Sequence, residues 1–226
     1  MKYSEFENIM SIARMSRYTT ATLSTKKAMT LYRLNLRLSQ EFFTIICCFE
    51  IALRNEINRN AIATLGNDWL KNGALPGGFF DNHNCRHTRG NVNDAILKLN
   101  HTYTHSKLVA ELGFGFWRFM FAQHQFTATG RTFLRIFPLK PISTALIQYN
   151  NTYLFNNLAQ INVIRNRIAH HEPICFLVGQ PIKNTTYARN NYALIKLLFQ
   201  WMNIDENSLL YGLDHVENIC DQIDAL

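Results

Sequence analysis

The amino-acid sequence predicts an all-α protein, and three observations carry that prediction. From Thr25 to Leu65 the chain runs without a proline or a glycine. Along that run Met29, Tyr32, Leu36, Phe43, Ile46, Phe49, Leu53 and Ile57 recur at steps of three and four residues or their sum, the spacing that lines one face of a helix. The strict apolar and polar alternation that marks strands is weak throughout. With 226 residues, 47% of them hydrophobic, the chain can bury a sizeable core. That excludes a disordered tail and a small disulfide-stapled scaffold.

Taken in order, the long helix starts at Ser24 or Thr25, either of which can cap it, and stops at Gly66-Asn67, a pair suited to a left-handed turn. Residues 66–90 hold Gly73, Pro76, Gly77, Gly78 and several asparagines, which predicts a long surface loop. Helical periodicity returns over Val92 to His101, Ser106 to Glu111 and Phe114 to Ala122, after interruptions at Gly113 and Gly115. A further helix is expected to start after Pro141 and pass Leu154, Leu158, Ile161 and Ile164. It ends at about Ala169 to His171, because Pro173 disfavours the helical region for Glu172. Beyond Gly179 and Pro181, two more helices fit Tyr192 to Trp201 and Glu206 to Ile223. Neither repeats nor low-complexity segments divide the chain, so residues 1–226 are expected to form a single all-helical domain.

The formal net charge is +7 and the isoelectric point about 9.3, which favours a polyanionic partner such as nucleic acid. Charged residues make up only 17% of the chain, so long-range steering should be moderate. Five cysteines, two of them the neighbours Cys47 and Cys48, contain no CxxC pair. Neither a disulfide framework nor a zinc ribbon is suggested, and a reducing cytoplasm fits best. The start of the chain carries Glu5 and Glu7 where a signal peptide needs a basic region and an apolar run. The most apolar stretch, Phe42 to Phe49, falls well short of the roughly 20 residues that span a bilayer. A soluble, cytoplasmic protein is expected.

The segment with the most chemistry is Ile164 to Pro173, which places Arg165, Arg167, His170, His171 and Glu172 at a helix end. A guanidinium grips a phosphate bidentately, and an imidazole titrates near neutral pH, so the set suits phosphodiester chemistry. Equally, histidines and arginines at a helix C-terminus can simply satisfy carbonyls and the helix dipole. In an ideal helix five residues turn through about 500°, which leaves Arg165 and His170 about 140° apart. Their convergence needs an irregular last turn or a second copy of the motif across a dimer axis. On the long helix, Glu50 and Arg54 stand four residues apart among apolar neighbours. They are expected to be partly buried and, with Asn55, either to support the Arg165 and His170 helix or to form a structural network.

The aromatic run Phe114, Phe116, Trp117, Phe119 and Phe121 fits core or a dimer interface better than base stacking, with Arg118 free to point outward. His83, Cys85 and His87, and the pair His101 and His105, have ligand chemistry but no complete set, and no metal or other cofactor is assigned. Glycine-rich phosphate loops, nucleophile elbows and paired catalytic carboxylates do not stand out.

Arg165-Asn166 followed by His170 resembles the Arg-x4-His signature of HEPN-superfamily ribonucleases, with its polar residue directly after the arginine. Three other segments resemble the Abi-like, or abortive-infection, branch of that superfamily: Ser16-Arg17-Tyr18 with Tyr32 and Asn35, the run Phe49 to Ile57, and Glu111-Leu112-Gly113-Phe114-Gly115-Phe116-Trp117. They stand in the family's order across about residues 12–175. The resemblance implies a HEPN-type bundle of long antiparallel helices that dimerises, so that two motifs form one site for metal-independent RNA cleavage. Arg165 would hold the scissile phosphate, His170 would act as general acid or base, and Asn166 would orient them. Glu50, Arg54, Asn55, Arg167 and His171 would support the site or contact RNA. A ribose 2′-hydroxyl nucleophile would make the substrate RNA and the function phage defence. Some relatives are accompanied by a cognate non-coding RNA. The alternative is a catalytically silent RNA-binding or regulatory module.

Overall fold

The computed structural model describes residues 1–226 and is all-α: helices α1 to α12 follow one another with no strand. A single isolated bridge joins Phe176 and Lys183. No helix is long and apolar enough to cross a membrane. The expected long helix is α3, Thr25–Leu65, and Gly66 ends it at φ 89°, a left-handed conformation that glycine enters without a Cβ clash.

The chain divides into two compact units, each with its own core. The first comprises residues 1–47, 163–197 and 206–226. It contains α1 (Tyr3–Met10), α2 (Ile12–Thr22), the first half of α3, the end of α9 (Asn151–Ala169), most of α10 (Thr186–Trp201), α11 (Glu206–Leu209) and α12 (Val216–Asp224). Met15, Leu31, Leu38, Phe42, Ile45, Ile164, Ile195, Val216 and Ile223 are fully buried there. Tyr18 sits edge-on to both Tyr32 and Phe176, with ring centroids 5.2 and 5.0 Å away. Asn35, buried among these side chains, accepts the N–H of Ile174 on its Oδ1 at 2.9 Å. Arg189 of α10 ties down α12 by binding Glu217, Asp221 and Asp224, which recur at steps of four and three along one face of that helix.

The second unit comprises residues 48–162 and 198–205. Its core is aromatic. Trp69 packs against Phe80 and Phe133, and its Nε1–H donates to Asn58 Oδ1 at 2.9 Å. Trp117 is fully buried and donates to the Leu112 carbonyl at 2.7 Å, and Phe49 meets Phe199 edge-on. The aromatic run is core at Phe114, Phe116, Trp117 and Phe121 and exposed only at Phe119. Arg118 lies between the rings of Phe119 and Phe155, at 4.7 and 4.8 Å.

Three sequence expectations need correction. Residues 66–90 are not a surface loop: they form α4 (Trp69–Ala74), a 3-10 turn at His83–Cys85 and the start of α5 (Arg86–Leu99). The turn residues are real, but Trp69, Leu70, Phe80 and Cys85 between them are buried, and burial of those side chains overrides the local signal. Gly73 allows this fold, since a Cβ there would lie 2.4 Å from the Phe79 ring. The helix expected from Pro141 begins ten residues later, at Asn151, with Asn150 Oδ1 accepting from the Tyr153 N–H. Ser143 and Thr144 hydroxyls take the N–H groups of Tyr149, Leu146 and Ile147, a local bonding that competes with helix. The expected helix from Glu206 to Ile223 is broken into α11 and α12, with Gly212 at φ 74° between them.

Two predictions follow from the buried polar groups. Asn35→Ala leaves the N–H of Ile174 without its acceptor, and should cost about 1–3 kcal/mol in chemical denaturation. His105, at the start of α6 (His105–Glu111), is half-buried with Nε2 2.7 Å from Asn58 Oδ1. Burial pushes its pKa down, partly offset by Asp68 at 3.6 Å. The unfolded imidazole then binds more protons than the folded one between the lowered value and about 6.5, so stability should be full above about 6.5 and fall as the pH drops through the lowered value. Denaturation midpoints across that range should slope for the wild type and flatten for His105→Gln.

Candidate functional site

The site is built by the way α9 ends. The last ordinary helical bond runs from the His170 N–H to the Asn166 carbonyl, at 2.9 Å. The next two N–H groups turn back: His171 donates to Ile168 at 3.0 Å and Glu172 to Arg167 at 2.8 Å. This is the Schellman arrangement, with His171 in the left-handed position at φ 56°. Glycine is usual there; a residue with a Cβ costs roughly 1–2 kcal/mol more. The turn leaves His170 at the C-cap, just past Ala169, and sets both imidazoles in solvent.

Arg167 holds the outgoing chain. It donates to the Pro173 carbonyl at 2.6 Å, lies 3.3 Å from the Glu172 carboxylate and stacks its guanidinium over Tyr187 at 4.9 Å. Ile174 then enters the core, where Asn35 receives it. Arg165 is half-buried one turn earlier, and its contact with the exposed Asn166 is a long one, 3.5 Å.

Facing the turn is α2. A groove of about 380 Å³ runs between Ser11, Arg14 and Arg17 on one side and His170, His171 and Pro173 on the other. Arg14 donates to the His171 carbonyl at 2.8 Å. Arg17 donates to the carbonyls of Leu177 and Gln180 and lies over the Phe176 ring at 4.8 Å. The only carboxylate on the groove is Glu172, which Arg167 already faces, so the groove is electropositive.

Of the residues expected from sequence, His170 and His171 line this groove, while Arg165, Asn166 and Arg167 lie outside its walls. Glu50, Arg54 and Asn55 lie in the second unit, whereas the Arg165 to His171 segment lies in the first. Glu50 and Arg54 are half-buried, as their apolar neighbours imply, and Asn55 is exposed. His83 and His87 flank Arg86, with ring nitrogens 3.3 and 3.5 Å from its guanidinium, while Cys85 turns into the core. Arg14 and Ser11 have no place among the sequence-predicted site residues. The available signal was their position one and two turns before the Arg17-Tyr18 pair on the same helix face.

The protein is thus an all-helical one in which a charged turn at the end of α9 faces the arginine-bearing α2. The chain belongs to the Abi-like protein family, whose family model matches residues 2–175. No curated protein and no solved structure matches it. The matched stretch contains both walls of the groove and ends just after the turn; α10 to α12 lie beyond it.

The left-handed turn generates a prediction. His171→Gly removes a Cβ from a conformation that disfavours it and should raise stability by about 1 kcal/mol, read as a higher denaturation midpoint.

Proposed function

We propose that this chain is a metal-independent HEPN-type endoribonuclease that acts in abortive infection as a toxin or effector. The observation that carries the reading is His170, a solvent-exposed imidazole just past the end of α9 on the wall of an electropositive groove, five residues after Arg165, in a chain of the Abi-like family. The net charge of +7 supports a polyanionic substrate.

In this reading Arg165 neutralises the scissile phosphate and Asn166 orients it. The ribose 2′-oxygen attacks phosphorus and the bond to the 5′-oxygen breaks. His170 either takes the proton from the 2′-hydroxyl or gives one to the departing 5′-oxygen, leaving a 2′,3′-cyclic phosphate and a 5′-hydroxyl. His171 and Arg167 support the turn and the phosphate path, and Glu50, Arg54 and Asn55 stabilise the helical frame. Arg165 stands outside the groove that His170 lines, so the working site is completed by a second copy of the chain, whose arginine serves the phosphate. The protein works in the cytoplasm on RNA, with a cognate non-coding RNA as a further partner.

That same separation of Arg165 from the groove favours the second reading, a module that binds RNA without cutting it. Cleavage assays decide between them. Arg165→Ala and His170→Ala should each lower turnover about 10²- to 10⁴-fold while circular dichroism stays helical. End analysis should find cyclic phosphates in wild-type products, chelator should leave the rate unchanged, and light scattering should give a dimer. A histidine variant that cuts at the wild-type rate, or a wild type that binds RNA and leaves it intact, would displace the nuclease reading.

A further inference from the structure

We propose that the groove between α2 and the α9 turn seats the RNA nucleotide next to the scissile bond, and that Arg14 grips that nucleotide's phosphate. The proposal rests on the RNA reading above and adds to it a binding residue and a subsite. Four observations support it.

The first is size: about 380 Å³ falls in the range of clefts that hold small ligands, at the end suited to one nucleotide-sized unit. The second is the state of the two arginines on its wall. Arg17 is committed, with its guanidinium on two backbone carbonyls and the Phe176 ring, and so contributes field rather than grip. Arg14 is exposed and gives one N–H to the His171 carbonyl, which leaves the rest of its five-donor fork for a phosphate. Its anchor on His171 also fixes it relative to His170, one residue away.

The third is backbone strain on both walls. Ser11, the only residue between α1 and α2, is held at φ 77°, ψ 145°, in a region that side chains rarely enter. His171 opposite it is left-handed at φ 56°. Two of the chain's seven non-glycine residues with positive φ thus lie on this groove, which fixes the direction of both walls. The Ser11 bend redirects the chain into α2, and its Oγ accepts from the Arg14 N–H at 3.3 Å.

The fourth is exclusion. A second groove of about 360 Å³ carries Asp94 and Glu111 against Lys98 alone and repels phosphate. A third, about 530 Å³, has Arg89 paired with Asp81 and Arg86 exposed between two histidines, so it differs from the first in lying away from the His170 turn rather than in charge.

The test is filter binding of an uncleavable 2′-O-methyl hexanucleotide and the matching dinucleotide to the full-length protein across a salt series. Arg14→Gln keeps a donor for the His171 carbonyl but loses the charge and the fork, and Arg14→Lys keeps the charge alone. For the hexanucleotide, Arg14→Gln should weaken binding about tenfold or more. It should also reduce the slope of log affinity against log salt by about 0.7, the share of one phosphate on a single strand. Arg14→Lys should fall between, and the dinucleotide, which lacks the flanking phosphate, should bind all three proteins alike. An unchanged hexanucleotide slope in Arg14→Gln, equal losses on both ligands, or no binding by the wild type would overturn the proposal. Because these ligands cannot be cut, the result stands apart from the cleavage assays: a wild type that leaves cuttable RNA intact while the Arg14 effect on binding persists would sink the nuclease reading and leave the subsite.

Discussion

In the core of the first unit the N–H of Ile174 has left solvent and needs an acceptor, and α3 supplies one in the side chain of Asn35. A buried amide of this kind fixes distance and direction together, because any slip of the chain leaves both groups unpaired. The segment it fixes begins three residues earlier, at the left-handed His171, so the positions of both imidazoles descend from this bond. Two residues beyond Ile174, Phe176 packs edge-on against Tyr18 of α2. The groove owes its two walls to the same small cluster.

The positive charge of the protein is divided between two uses. Arg17, Arg167 and Arg189 serve the fold: each meets backbone carbonyls, aromatic rings or carboxylates, and each joins segments distant in sequence. Arg14 and Arg165 retain donors that such duties would consume. A count of cations cannot make this distinction, since the guanidinium is the same group in both roles and only its neighbours differ.

The long helix was legible to within a residue at its start and to the residue at its end, where an uninterrupted apolar period meets a terminal glycine. The end of α9 was legible from Pro173. The segment from Trp69 to Cys85 was not, since its Pro76-Gly77-Gly78 run is a correct turn signal around side chains that are buried. Pattern reasoning reads the punctuation and cannot weigh the burial. Asn150 and its preceding hydroxyls hid the start of α9 for a related reason: short polar side chains cap as well as they continue. Within the site, the motif from Arg165 to His170 was visible because its residues lie close in sequence. Arg14 was not, because its partner is a carbonyl 157 residues away.

The stretch that defines the family is shorter than the stretch that has to fold. The family model ends at residue 175, yet Arg167 rests on Tyr187 of α10, and Glu41 of α3 accepts the N–H of His215 just before α12. Ile195, Val216, Ile219 and Ile223 complete the core behind the turn. The last fifty residues are thus a scaffold on which the diagnostic part leans. A substitution on their inward faces can therefore stiffen or loosen the histidine turn without touching a residue of the signature.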